Sequence, residues 1–166
     1  STDSPEISEL SQALGAEVPF LRPCKLSKDD SVIEDVIIDT LEKLNKNERY
    51  QPNLIVILQP TSPLRTAAHI DDCINLLEEK NADAVVSVSE PMEHPAEMVY
   101  WEGEGKMRFL LESYRDLPKT QRQGYPPCFF INGSVYTCRH DTLINKKSRF
   151  GDVTLPYVMR SIDSID

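Results

Sequence analysis

Apolar residues at Ile7, Leu10, Ala13 and Leu14 recur at helical spacing. Ser4 suits the cap ahead of them, Pro5 the first helical position, and Glu6 the positive helix end; Gly15 stops the run. Residues 16–22 read as extended, with Pro19 favouring an edge. Asp29, Asp30 and Ser31 then start a second helix, with Ile33, Val36, Ile37, Leu41 and Leu44 on its apolar side. Leu54–Leu58 is an unbroken apolar run, which suits a strand buried on both faces of a parallel sheet, and Pro60 and Pro63 end it. Helical period returns over residues 67–80 through Ile70, Cys73, Ile74 and Leu77, and Ala84–Val88 is the next strand. Helix, strand, helix, strand predicts an α/β fold: a mostly parallel sheet with helices on both faces.

The pattern changes after residue 90. Two strands, near 98–101 and 106–110, flank the turn signal Glu102-Gly103-Glu104-Gly105. A polar stretch from Ser113 to Gln123 follows. Further strands are expected at Ser134–Cys138, just after Asn132-Gly133, and near 153–159, with a short helix near 141–147 between them. No internal repeat interrupts this order. At 166 residues the chain reads as one domain, 1–166, with an extension of different character at about 92–128.

Composition narrows the partners. The formal charge is −9, from 27 acidic and 18 basic side chains without a dense basic run, which argues against nucleic acid and anionic membranes. A few arginines still suffice for a local anion pocket. No stretch approaches the roughly 18 apolar residues of a membrane span, and cytoplasm is the expected location. Cys24, Cys73, Cys128 and Cys138 are too scattered for a zinc site and read as reduced, packed thiols.

Nucleotide-binding α/β sheets commonly open on a strand–loop–helix unit that supplies a central strand and the phosphate loop. Here the first element is a helix and no glycine-rich loop occurs, so further sequence is expected upstream. The intact mass of the natural product tests this.

Candidate chemistry begins directly after the first apolar run. Gln59 offers a donor and an acceptor, Thr61 and Ser62 offer hydroxyls, Arg65 offers a cation for an anion, and two prolines stiffen the segment. Loops at the carboxyl ends of strands are where open α/β sheets bind ligands; a rigid connection with solvated polar groups fits the same residues.

Leu58-Gln59-Pro60-Thr61-Ser62-Pro63-Leu64-Arg65 resembles the L-Q-P-T-S-P-L-R signature of the CMP-sialic acid synthetase (acylneuraminate cytidylyltransferase) family. The resemblance extends to Ser1-Thr2-Asp3, Leu21-Arg22-Pro23, His94-Pro95, Gln121-Arg122-Gln123, Asn132-Gly133-Ser134-Val135-Tyr136 and Ser161-Ile162-Asp163, in the family's order. It implies a Rossmann-like nucleotidyltransferase sheet, a homodimer, and a dimerisation region in the extension after residue 90. It also implies a reaction in which the anomeric hydroxyl of an acidic nine-carbon sugar attacks the α-phosphate of CTP, releasing pyrophosphate.

By the same resemblance Arg22 and Ser31 lie at the cytidine site, and Gln59 contacts the sugar acid. Arg122 stands near the anionic substrates, Asn132 and Tyr136 line the sugar pocket, and Phe150 falls where an aromatic reaches the partner subunit's site. From the residues alone, Arg22 also reads as a strand-end cap, Arg122 as a solvated loop charge, Tyr136 and Phe150 as core aromatics, and Asn132-Gly133 as a tight turn.

Carboxylates holding Mg²⁺ are the expected catalytic device, with Asp163 the foremost candidate. The family pattern pairs it with an aspartate two residues on. Here the next acid is Asp166, three residues on, so a shared face in an extended chain is lost; a surface acid is the other reading of Asp166. The resemblance also places a Gly-, Lys- and Arg-bearing triphosphate loop ahead of the region matching Ser1. Residues 1–166 by themselves are therefore expected not to turn over CTP, which a pyrophosphate-release assay checks. A noncatalytic relative and a cytidylyltransferase for an eight-carbon keto-deoxy sugar are the other readings.

Overall fold

In a computed structural model of the chain, which describes residues 1–112 and 124–164, the apolar runs become the sheet. The strands of the main sheet are β1 (Leu54–Ile57), β2 (Ala84–Ser89), β5 (Phe130–Arg139) and β6 (Thr154–Val158), in the order β1-β5-β2-β6. β3 (Val99–Gly103) and β4 (Lys106–Phe109) form a separate antiparallel hairpin within the 92–128 extension.

The sheet is mixed, which corrects the expectation of a mostly parallel one. β2 and β6 pair parallel, but β5 runs antiparallel to both of its neighbours. The crossover from β1 through α3 (Ala67–Glu79) leaves β1 and β2 pointing the same way without touching. β5 enters from the hairpin side, fills the gap between them and runs back. An apolar run carries no mark of direction, so period and composition cannot distinguish the two arrangements.

Helices cover both faces, as expected. α2 (Ile33–Glu48) and α4 (His140–Lys146) bury Leu41 and Leu143 against Ile55, Ala84 and Cys138. On the other face α3 buries Cys73 and Leu77 against Val85 and Val135. Leu77 and Leu143 are fully buried, each contributing roughly 1.5–3 kcal/mol. Burial pushes the Cys73 thiol up to about 12, with Asp72 adding to it, and burial likewise raises Cys138 to about 11. Both are packed hydrophobes, as their spacing suggested.

α1 (Pro5–Ala13) forms with Ser4 as its cap, but its apolar stripe is not buried: Ile7, Leu10 and Leu14 face outward among the described residues. Residues 16–22 form no strand. Among the described residues no helix is long and apolar enough to cross a membrane.

Candidate active site

β1, β2 and β6 point the same way, so their carboxyl ends gather at one edge, where β5 enters. The segment after β1 is tied down there by Arg65. Its Nη1 donates to the carbonyls of Gln59 at 3.0 Å and Ser134 at 2.8 Å, clasping the loop to β5. One edge of the cation expected to hold an anion is thus spent on the backbone. The hydroxyls of Ser62 and Ser134 are buried without a hydrogen-bond partner among the described residues.

Gln59 is half-buried and lies over Gly133. Gly133 has φ +71°, and a Cβ there would stand 2.5 Å from Gln59 Oε1. The glycine therefore answers two demands, a left-handed backbone and the close approach of the amide.

Asn132-Gly133-Ser134 belong to a bulge rather than to a hairpin turn. Val86 pairs with Tyr136 but Val88 with Ile131, so β5 carries extra residues opposite Ser87. Ser87 fills the gap: its hydroxyl donates to Asn132 Oδ1 at 2.6 Å and accepts from the Val135 N–H at 2.7 Å. Asn132 is 3% exposed, and its Nδ2 donates to Ser164 Oγ at 2.9 Å. The bulge thereby reaches the chain after β6.

Asp163 ends a short 3-10 turn, Ser161–Asp163, beyond β6. Arg160 grips it with both edges of a fork, Nε to Oδ2 at 2.7 Å and Nη2 to Oδ1 at 3.1 Å. The Arg160 hydrogen bond holds the carboxyl below its usual range against partial desolvation, helped by the charges of Arg160 and His69. His69 caps α3 reciprocally with Thr66 and tilts toward Tyr157, whose hydroxyl donates to Asp72 at 2.7 Å. Burial, then that bond, raises Tyr157 to about 12.

Among the described residues no three His, Cys, Asp or Glu side chains gather as a metal site. A lone carboxylate is a ligand type that Mg²⁺ accepts, because that ion takes most of its oxygen ligands from water and phosphate, and here both oxygens of Asp163 are engaged by Arg160. The Arg160 side chain is 80% exposed and that of Asp163 16%. Asp166 and Arg122 lie outside the described residues.

A second cluster sits on the α2/α4 face. Tyr136 is buried and meets Phe150 edge-on at 6.3 Å. Arg149 covers both rings, 4.6 Å from Tyr136 and 5.2 Å from Phe150, while its Nη1 donates to Glu34 at 2.7 Å. Ser31 precedes this end of α2 and accepts from the Lys28 N–H at 2.9 Å. Arg22 donates to the Ser1 carbonyl at 2.7 Å and caps no strand.

The fold thus links Gln59, Arg65, Asn132 and Asp163 through β5 and places Tyr136 and Phe150 on the same strand's neighbourhood. Arg22 and Ser31 are held by their own local segments. A cavity of about 470 Å³ lies at the opposite end of the sheet, around Gln51, Glu78, Arg139 and Asp141. It shares no residue with either cluster.

Sequence reasoning passed over Ser87, Arg149, Arg160 and Ser164. Ser87 had a signal, as a hydroxyl flanked on both sides by valines within a largely apolar strand. Arg160 had a weaker one, lying three residues before the candidate acid. Nothing in the sequence marked Arg149 or Ser164.

No protein-family model matches the chain. It is 30% identical over 166 residues to an N-acylneuraminate cytidylyltransferase of Streptococcus agalactiae serotype V, covering 100% of this chain and 38% of that protein. It is 30% identical over 167 residues to the CMP-N,N'-diacetyllegionaminic acid synthase of Legionella pneumophila, covering 100% of this chain and 70% of that protein. Over 166 residues it is 26% identical to the post-translational flagellin modification protein B of Campylobacter coli, covering 69% of it. The chain therefore spans less than half the length of the streptococcal relatives it matches, and most of the Legionella one. Similarity that runs from one end of the chain to the other, together with the edge just described, leads to one conclusion: the chain belongs to the CMP-sialic acid synthetase (acylneuraminate cytidylyltransferase) family.

Proposed function

We propose that this chain acts in the transfer of a cytidylyl group from CTP to an acidic nonulosonic sugar of the sialic, legionaminic or pseudaminic type. The observation that carries this is the convergence on one sheet edge of Gln59, the Asn132-Gly133 bulge and the Asp163 turn. A hydrogen-bonding amide for a sugar acid and a carboxylate for a metal-bound phosphate stand on elements joined by buried bonds.

In this reading the anomeric oxygen forms a bond to the α-phosphorus of CTP. The α–β phosphoanhydride bond breaks, pyrophosphate leaves with the electron pair, and the sugar hydroxyl's proton passes to solvent. The protein supplies mainly position and charge. Gln59 orients the sugar acid, Tyr136 lines the sugar pocket, and Phe150 reaches toward the partner subunit's site. Arg22 and Ser31 face the cytidine, Arg65 stiffens the loop and adds positive field, and Arg122 serves the anionic groups. Asp163 would hold Mg²⁺, with Asp166 as second carboxylate; the ion would supply neutralisation of phosphate charge.

The test is product formation by the natural protein, given CTP, Mg²⁺ and a panel of sugar acids that includes an eight-carbon keto-deoxy acid. Pyrophosphate release with a CMP-linked nonulosonic acid in the mass spectrum is expected. Turnover confined to the eight-carbon acid, or none with any, would refute the assignment.

The enzyme is further proposed to be a homodimer formed through the β3–β4 extension. Trp101 is 77% exposed and its cross-strand partner Met107 64%, with Val99 on the same face, a cluster that a monomer would leave in water. Sedimentation is expected to give a dimer for the natural protein and a monomer for Trp101→Glu. A dimer undisturbed by that charge would exclude the hairpin as its seam.

A further inference from the structure

Every hydrogen-bonding position of the Asn132 amide is spent inside the protein. Oδ1 accepts from Ser87 Oγ at 2.6 Å and from the Ser134 N–H at 3.2 Å. Nδ2 donates to Ser164 Oγ at 2.9 Å and points at Met159 Sδ at 3.4 Å. The backbone N–H of Ser134 can only meet an acceptor, which fixes which end of the amide is oxygen. At 3% exposure and with two acceptor and two donor positions taken, the side chain has nothing left for a sugar hydroxyl.

Its reach is toward both halves of the site. Ser164 Oγ donates onward to the Arg160 carbonyl at 2.9 Å, and the same carbonyl receives the Asp163 N–H at 2.9 Å. Asn132, Ser164 and Arg160 therefore close the turn that presents Asp163. On the other side Asn132 is bonded to Gly133, the seat of the Gln59 amide.

We infer that Asn132 is a positioning residue: by tying Ser164 to the bulge of β5 it holds the Asp163 carboxylate in fixed relation to Gln59. Only the purpose of the tie rests on the cytidylyltransferase reading. The tie itself stands on a buried network in which removing one partner leaves another unsatisfied.

The test uses the full-length protein with Ser164→Ala, Asn132→Asp and both together. Amide hydrogen exchange at Asp163 and Ser164 is read in the metal-free protein. The Mg²⁺ concentration for half-maximal rate and the KM of the sugar acid selected by the product assay are read in turnover. Each single variant is expected to speed exchange at both amides about tenfold and to raise the Mg²⁺ requirement about fivefold, with the sugar KM within about twofold. The double variant is expected to be no worse than the worse single, because both remove one shared link.

Wild-type exchange and Mg²⁺ requirement in Ser164→Ala would overturn the inference. So would an Asn132→Asp variant with a tenfold higher sugar KM at unchanged Mg²⁺ requirement, which would make Asn132 a direct sugar contact. Should Asn132→Asp not fold, Ser164→Ala decides alone. A protein that makes no CMP-sugar removes the proposed function, and the exchange arm still decides the tie.

Discussion

Replacing Asp163 by Asn in the natural protein is expected to lower turnover about a hundredfold or more, since one preorganised charge at a phosphoryl site typically carries that much. The substitution keeps the shape and an oxygen acceptor for Arg160, and the position lies in a turn outside the two core clusters. Folding should therefore be little changed, and matched thermal melts establish that the loss is chemical.

The carboxyl's hydrogen bond to Arg160 places its folded titration below the ordinary value. The folded carboxyl therefore stays ionised until pH falls through that depressed value, and the stability its bond contributes is complete above the unfolded value and lost as pH falls through the folded one. Activity near neutral pH should thus show no ionisation step from Asp163. Wild-type turnover by Asp163→Asn would remove this residue from the mechanism.

Gly133→Ala should cost about 1–2 kcal/mol of stability, measured by urea unfolding, and raise the sugar KM about tenfold. The two effects are separable. The φ of +71° imposes the strain on any residue with a Cβ. The new methyl would stand 2.5 Å from Gln59 Oε1, the end of a flexible side chain, and displace that amide at little cost in stability. In a Gln59→Ala background the same substitution should cost the same stability and leave the sugar KM unmoved. A tenfold KM rise in that background too would show that Gln59 does not rest on Gly133 in solution.

Some elements of the candidate site were legible along the chain. The segment Gln59–Arg65 announced itself through its prolines and polar groups after an apolar run, and the edge at which it lies follows from strand direction in any α/β sheet. Arg65 read as a cation for an anion and not as the clasp it forms, because its partners are carbonyls and every residue has one. Asn132-Gly133 read as a turn for a sound local reason, since the same left-handed glycine serves a turn and a bulge; only the Val86/Val88 register shift separates them. Asp163 was legible as an acid, whereas its tie to the sheet through Ser164 joins residues 32 apart in the chain.

What the sequence by itself determined is local: where chain segments take helical or extended form, which side chains are apolar enough to leave water, and which polar groups stand next to one another along the backbone. Those properties arise from period, propensity and capping, all decided within a few residues. Tertiary structure alone decided that β5 runs backward between β1 and β2, that the stripe of α1 stays uncovered among the described residues, and that a buried asparagine joins the β5 bulge to the turn bearing Asp163. The physical reason is common to all three. Pairing direction, burial and hydrogen-bond partnership are properties of contacts between distant segments, and a residue's type states what it can bond but not what will be beside it.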